Sequence, residues 1–353
     1  MSEIDLKPFV GIGRNRLKEI LAAIGSVRAV MAGDLCLDAY WQADMTLSEL
    51  SRETPHFPLP VVEERYSPGA GGNVAVNLAA LKPAAALAVG FVGRDWRAQV
   101  LLEALAGHGV DCSGVLGHPG KVTNAYIKPY RRGISELAYE DPRLDFADRA
   151  PQTAEMDALL IEALDRAAQS ADVLCVCDQH RLGCITAAVR QKIVGLAADG
   201  LRVVVDSRSR IGSFGGCILK PNEVEGMAAA GMGGQCDMNG FAAAAWELAA
   251  KTGSPVCMTV GERGCIVAER SGLTHVHAWP VKPPVDICGA GDTFLSAFAC
   301  ALAAGANLCE AAATANLASG VTVKKIGQTG SASPEEILRR CNEVCAAAGG
   351  ASL

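Results

Sequence analysis

Val27-Arg-Ala-Val-Met-Ala-Gly-Asp34 is, apart from Arg28, a run of β-branched and small apolar residues that stops at a glycine and an acid. The pattern recurs. Val173-Leu-Cys-Val-Cys177 stops at Asp178, Val203-Val-Val205 at Asp206, and Val256-Cys-Met-Thr-Val260 at Gly261. Ala86 to Val92 ends in Gly93-Arg-Asp95, and Trp96 to His108 then has the leucine and alanine spacing of a helix. Runs without polar alternation predict strands covered on both faces, and helix-length segments between them predict parallel βαβ units. The fold class is therefore α/β with a mostly parallel central sheet. Ligands of such sheets bind beyond the carboxyl ends of the strands, where Asp34, Asp206 and Gly261 fall.

Two stretches break the alternation. Residues 42–68 are polar and carry Pro55, Pro58 and Pro60 before Val61-Val-Glu-Glu-Arg-Tyr66. Residues 121–140 alternate through Val122, Asn124, Tyr126 and Lys128 and end in the basic pair Arg131-Arg132. Both predict short antiparallel strands inserted into the α/β body, together forming a small β-sheet lid that excludes water. With no repeat and no linker, residues 1–353 read as a single domain carrying that lid.

Composition narrows the classes. The 353 residues are 50% apolar and 20% charged with net charge -6, which excludes long disorder and argues against a broad nucleic-acid surface. Fourteen cysteines contain no C-x-x-C pair, so zinc-ribbon and thioredoxin spacings are absent. Scattered through apolar runs, they read as free thiols of a reducing, cytoplasmic setting. Met1 to Ile20 lacks the apolar core of a signal peptide, and Phe294 to Val323 is interrupted by Asn307, Glu310 and Asn316, so no membrane association is expected.

The sharpest chemical feature is Asp286-Ile-Cys-Gly-Ala-Gly-Asp-Thr-Phe294, followed by an alanine-rich helical pattern. Gly289-Ala290-Gly291 allows close backbone approach, and the helix start offers free N–H groups to an anion. A carboxylate beside an anion site is unfavourable for binding alone. It is useful as the base that deprotonates a hydroxyl while the N–H groups hold a transferring phosphoryl group. The plain alternative for Asp292 is a helix cap.

In chain order stand Gly33-Asp34-x3-Asp38, Gly69-Ala-Gly-Gly-Asn73-x3-Asn77, Gly90-x2-Gly93-x-Asp95, Pro221-Asn222-x2-Glu225, Thr259-x-Gly261-x2-Gly264 and Asp286 to Asp292. This series resembles the ribokinase-like (PfkB) carbohydrate kinases from about residue 27 to 340. No P-loop and no complete G-x-G-x-x-G is present. Within that family the chain is most similar to the heptose-7-phosphate kinases of lipopolysaccharide heptose enzymes. That similarity rests on Gly33-Asp-Leu-Cys-Leu-Asp-Ala-Tyr-Trp41, Ser51-Arg-Glu-Thr-Pro55, Pro58-Leu-Pro-Val-Val62 and Pro68-Gly-Ala-Gly-Gly-Asn73. No H-x-G-H motif is present, so only the kinase half of such an enzyme is expected.

The resemblance implies a ribokinase-like three-layer α/β/α fold and a sugar kinase using ATP and Mg²⁺. Asp292 would be the base, with Gly289, Ala290 and Gly291 as the anion hole. Asp34, Asp38, Gly69, Ala70 and Asn73 would surround the sugar. Asn222 and Glu225 would organise Mg²⁺ through water and the ATP phosphates, Thr259, Gly261 and Gly264 would lie along the nucleotide, and Asn316 near the adenine. Asp286 is the candidate contributor to a K⁺ site, and relatives that dimerise through the lid suggest a homodimer with Phe57, Leu59 and Val61 at its face. Plainer readings remain beside these: a strand-end cap for Asp34, a surface charge for Asp38, a helix start for Asn222 and Glu225, and packing for Asn316. Lys128, Arg131 and Arg132 are either a phosphate contact or a solvated face, and Cys288 is expected to be a buried, inert thiol.

Departures bear on the acceptor. Ala70 stands where the family has glycine, Asp178-Gln-His-Arg-Leu-Gly183 replaces Asp-Tyr-x-Lys-Gly, and Asp206-Ser-Arg208 replaces Asp-Pro-Lys. They leave open a non-catalytic sugar or nucleotide sensor on the same fold, and a nucleoside kinase, beside the sugar kinase.

Overall fold

The computed structural model describes residues 5–133, 135, 137–234 and 236–347. Residues 134 and 136 of the expected lid segment, and the first four residues of the leader reading, lie outside the described residues. The chain begins with β1 (Leu6–Pro8), α1 (Arg14–Ile24), β2 (Arg28–Gly33), β3 (Leu35–Asp44), β4 (Val61–Ala70), α2 (Gly71–Ala80), β5 (Ala85–Val92), α3 (Trp96–Gly107) and β6 (Asp111–Gly117). It continues through β7 (Asn124–Arg132), β8 (Tyr139–Glu140), β9 (Leu144–Phe146), α4 (Ala154–Ala168), β10 (Val173–Asp178), α5 (Ala187–Ala198), β11 (Arg202–Ser207) and β12 (Ile218–Leu219). The remainder is α6 (Glu223–Ala230), α7 (Met238–Thr252), β13 (Val256–Thr259), β14 (Cys265–Glu269), β15 (Gly272–Val276), α8 (Ala290–Ala303), α9 (Leu308–Thr322) and α10 (Pro334–Ala347).

Ten strands form the large sheet in the order β1-β15-β14-β13-β12-β11-β10-β2-β5-β6. All its pairings are parallel except those of β14 with β13 and β15. The unbroken apolar runs are explained by two cores, because successive side chains of a strand point to opposite faces. On β10, Val173, Cys175 and Cys177 pack into the core with helices α1, α2, α3, α8, α9 and α10, whereas Leu174 and Val176 pack with α4, α5, α6 and α7. Nine of the fourteen cysteines are buried in this way, and all fourteen are free. They fill space as small apolar side chains, with burial raising the thiols of Cys175, Cys177 and Cys300.

The second sheet contains β4-β3-β7-β8, with β9 also paired to β7. It differs from the expected pair of insertions in two ways. Its strands start earlier, at Leu35, directly after β2, and β3 pairs with β7 in parallel while pairing with β4 antiparallel. The chain therefore enters this sheet with hardly any linker. Asp95 of the Gly90–Asp95 motif fastens the β7 end: it caps α3 and accepts from the Thr123 N–H at 3.0 Å. No helix among the described residues is long and apolar enough to cross a membrane.

Candidate active site

α8 starts against the N-terminus of α2, and that junction sets the proposed base. Gly289, the residue before α8, has φ 78°, and a Cβ there would lie 2.9 Å from Asn73 Nδ2. Both the backbone and the contact call for glycine. Asn73 donates to Asp292 Oδ2 at 2.7 Å, and its own Oδ1 accepts from Asn77 at 3.2 Å, which fixes the orientation of the amide. Thr293 donates to Asn77 Oδ1 at 2.7 Å and Ser296 to the Val74 carbonyl at 3.0 Å, locking α2 to α8. The Ala290 N–H is spent on the Ile287 carbonyl at 3.2 Å, and Thr293 N–H on Gly289 at 3.0 Å. The N–H groups of Gly291 and Asp292 are left for an anion.

Burial pushes the Asp292 carboxyl up to about 7, with Asp206 and Asp38 adding in the same direction and the Asn73 hydrogen bond and Lys220 opposing. A carboxylate with this value accepts a proton near neutral pH far better than an ordinary aspartate.

The two aspartates after β2 have different surroundings. Asp34 is buried, and its carboxylate accepts from the N–H groups of Gln179 at 2.9 Å, His180 at 2.7 Å and Cys184 at 2.7 Å. Three backbone donors orient the Asp34 carboxylate, which organises the 178–184 loop. Arg210 holds the same loop from the other side through Asp178 and the His180 carbonyl. Asp38, two residues along β3 from Cys36, instead faces Lys128 with Nζ at 3.7 Å. A Cβ on Gly69 would meet its carboxylate at 2.7 Å, so that glycine makes room for it. Ala70 keeps a left-handed backbone, φ 48° and ψ -130°, despite its methyl group.

A cavity of about 590 Å³ opens between the second sheet and the Asp286–Gly289 turn, lined among others by Tyr40, Arg65, Lys128, Tyr130, Arg132 and Cys288. Lys128 lies 3.3 Å from the Tyr40 hydroxyl. Arg65 stacks on the Tyr40 ring at 3.8 Å and donates to the Gly327 carbonyl at 2.9 Å, without an acid partner among the described residues. Arg131 turns away to Asp141 at 2.6 Å, while Arg132 lies 3.9 Å from Glu63. The structure therefore brings two of the three anticipated cations to the cavity and adds Arg65. The alternation of β4 opposite β3 carried that signal, since Arg65 is the cross-strand partner of Tyr40.

On the other side of Asp292 lies Lys220, which the sequence reading passed over. It is buried at the end of β12 and pairs with Asp206 at 2.7 Å. Its position, a lone charge closing the apolar run Ile218-Leu219, was the available signal. Asn222 and Glu225 form a reciprocal capping box on α6, 2.8 and 2.9 Å long. Burial and Asp206 raise the Glu225 carboxyl. Thr259 donates its N–H to the Pro221 carbonyl, and Gly261 and Gly264 shape the β13–β14 turn that the Val260 N–H closes onto the Gly264 carbonyl. Asn316 acts as a fastener: its amide donates to the Val276 and His277 carbonyls at 3.1 and 3.2 Å. Asp286 accepts from the N–H groups of Cys288 and Gly327, tying two loops. Cys288 is exposed rather than buried. Partial desolvation and then Asp286, Asp38 and Asp292 hold its thiol above the usual range against Lys128, so it is accessible but not activated.

The doubly covered α/β sheet, the second sheet and the aspartate at the start of α8 belong to a phosphotransferase acting on an alcohol group, as the family match shows. Residues 39–336 match the pfkB family of carbohydrate kinases, and the chain belongs to that family. It is 29% identical over 330 residues to the bifunctional protein HldE of Geobacter metallireducens, covering 92% of this chain and 65% of the relative. The chain thus spans about two thirds of the length of that relative. Among solved structures it is similar to ribokinase of Arabidopsis thaliana complexed with ribose and ATP, at TM-score 0.68 and 18% identity over 89% of this chain and 98% of the other. It is similar also to phosphofructokinase-2 of Escherichia coli with fructose-6-phosphate, at TM-score 0.69 and 19% identity over 90% and 99%; a further structure of that enzyme contains potassium.

Proposed function

We propose that this chain transfers the terminal phosphoryl group of ATP to a hydroxyl of a phosphorylated sugar, of the heptose-7-phosphate class. The observation that carries the reading is the Asn73–Asp292 hydrogen bond at the start of α8, with the cation-lined cavity beside it. Asp292 takes the hydroxyl proton, held in place by Asn73. The freed oxygen forms the new bond to phosphorus as the bond to the ADP oxygen breaks, and the N–H groups of Gly291 and Asp292 face the charge that develops. Asp38 orients the sugar hydroxyls, with Gly69 and Ala70 shaping the wall. Lys128 and Arg65 pair with the phosphate that the acceptor already carries, which is the task for which cations stacked on Tyr40 are suited.

Magnesium, when bound, neutralises the nucleotide phosphates. Glu225 and Asn222 would hold it through water, because the side-chain oxygen of Asn222 and one oxygen of Glu225 are committed to the capping box and the acids do not converge as a direct ligand set among the described residues. Thr259, Gly261 and Gly264 line the nucleotide side. Asp286 is the proposed neighbour of a potassium ion. Residues 1–353 form one kinase unit with the second sheet as its lid, and the fourteen free thiols suit a cytoplasmic setting. Exposed Phe57, Leu59, Val61 and Val62 supply a face for pairing two copies, which light scattering tests.

The experiment is a screen of sugars and sugar phosphates with Mg·ATP, read as ADP release, with Na⁺ and K⁺ compared. Turnover with a phosphorylated sugar above its unphosphorylated counterpart supports the reading. Turnover with nucleosides alone, or with no acceptor, overturns it.

A further inference from the structure

His180 stands in the departing segment Asp178-Gln-His-Arg-Leu-Gly183, and both of its ring nitrogens meet β7 of the second sheet. Nδ1 lies 2.9 Å from Asn124 Nδ2, and Nε2 lies 3.3 Å from the Tyr126 hydroxyl. The main chain of His180 is held on both sides, its N–H donating to Asp34 at 2.7 Å and its carbonyl accepting from Arg210 at 3.0 Å. Each ring contact has one direction. Asn124 Oδ1 accepts from the Asp148 N–H at 3.3 Å, so the amide turns its NH₂ toward the imidazole. An amide NH₂ only donates, which makes Nδ1 the acceptor and leaves the ring hydrogen on Nε2. Tyr126 therefore accepts at its oxygen, and its own hydrogen has no acceptor among the described residues. Tyr126 is the ladder partner of Asp38, and Lys128 follows two residues later, so the three side chains share one face of the second sheet. Its ring is set between the edge contact of His180, centroids 6.3 Å apart, and the Arg143 guanidinium, 4.3 Å away and already committed to Asp145. Burial raises the phenol above its ordinary value, so the hydroxyl keeps its hydrogen.

We propose that Tyr126 is a specificity-determining residue that donates this hydrogen to an uncharged oxygen of the acceptor sugar, with His180 as the positioning residue that aims it. The inference rests on the sugar-kinase reading above and deepens it. Lys128 and Arg65 meet the phosphate of the acceptor, and the uncharged His180–Tyr126 pair meets its polyol part. A phenol offers one donor and no charge, the match for a hydroxyl or ring oxygen rather than for a phosphate.

Initial rates with Mg·ATP and, in turn, a heptose 7-phosphate and fructose 6-phosphate test this, at a temperature where melting curves show every variant folded. Tyr126→Phe keeps the ring and removes the hydroxyl. It raises the acceptor KM about threefold to tenfold, the loss of one hydrogen bond, and leaves the KM for ATP within about twofold. His180→Phe has the same effect, whereas His180→Gln, which retains one acceptor and one donor, keeps the acceptor KM of the wild type. The double variant Tyr126→Phe/His180→Phe is no worse than either single variant, because both act through one hydrogen. Tyr126→Phe and His180→Gln suffice should His180→Phe fail to fold. An unchanged acceptor KM in Tyr126→Phe, a loss in His180→Gln as large as that in His180→Phe, or effects that multiply in the double variant overturn the proposal. Wild-type protein that turns over neither acceptor overturns instead the phosphosugar reading on which it rests.

Discussion

Asn73 on α2 donates its side-chain amide to Asp292 on α8 across 219 residues of sequence, at 2.7 Å. The amide is oriented in turn by Asn77, which also accepts from Thr293. A base held this way has a fixed direction of attack, and its raised pKa sets the pH at which it works.

Asp292→Asn is therefore expected to lower kcat by about 10²–10⁴-fold. In the wild type, kcat/KM rises about tenfold per pH unit up to a bend near 7, the value to which burial lifts this carboxyl. Stability has the opposite slope. The folded state holds the Asp292 proton more tightly than the unfolded chain, so this group's contribution weakens as pH rises from the ordinary aspartate value to about 7. The asparagine variant should consequently melt higher than the wild type at pH 8 and no higher at pH 4. Calorimetry at the two pH values checks this.

Asp34 and Asp38 should separate stability from function. Asp34→Ala deprives three backbone N–H groups of their acceptor, a loss of about 3 kcal/mol or more in urea unfolding. Asp38→Asn, which removes an ion pair with Lys128 3.7 Å long, is expected to melt near the wild type and to raise the acceptor KM.

Ala70→Gly relieves a left-handed backbone and is expected to stabilise by about 1 kcal/mol. Thermal melting reads it directly. A fall in melting temperature would mean that the alanine methyl makes a packing contact that outweighs the strain.

Arg65→Met and Lys128→Met are each expected to raise the KM for a phosphorylated acceptor by about tenfold or more, because charge-assisted bonds contribute about 1.5–3 kcal/mol. The KM for ATP should stay within threefold. Equal effects on both substrates would place these cations outside the acceptor's phosphate contact.

Among the thiols, Cys288 should react first with iodoacetamide, since nine others are buried and it is exposed. Mass spectrometry of partly labelled protein identifies the site, and labelling confined elsewhere would contradict the exposed position.

How legible this was depended on distance along the chain. The strands at Val27, Val173, Val203 and Val256 could be read because a strand buried on both faces writes its environment into consecutive residues. The parallel pairing of β3 with β7 could not, since Cys36 meets Asn124 only in the folded protein. Asp34 and Asp38 look alike in sequence. What distinguishes them is the backbone of Gln179, His180 and Cys184, which turns its donors toward the first and not the second. Lys220 and Arg65 were missed for the same reason, each being an ordinary surface-type residue until remote neighbours enclose it. The Asn222–Glu225 spacing was visible, and the structure gives it the local geometry of a helix cap.

The chain crosses from the large sheet to the second sheet at Gly33 and returns at Ala70, and both residues have positive φ. Ala70 is three positions ahead of Asn73, at the start of a helix bolted to α8 by three hydrogen bonds. Asp38, Arg65 and Lys128 stand on strands of the second sheet, whereas the base and its amide partner stand on two helices joined to each other. The aim of the base is thus set by a different part of the chain from the one that presents the acceptor's contacts.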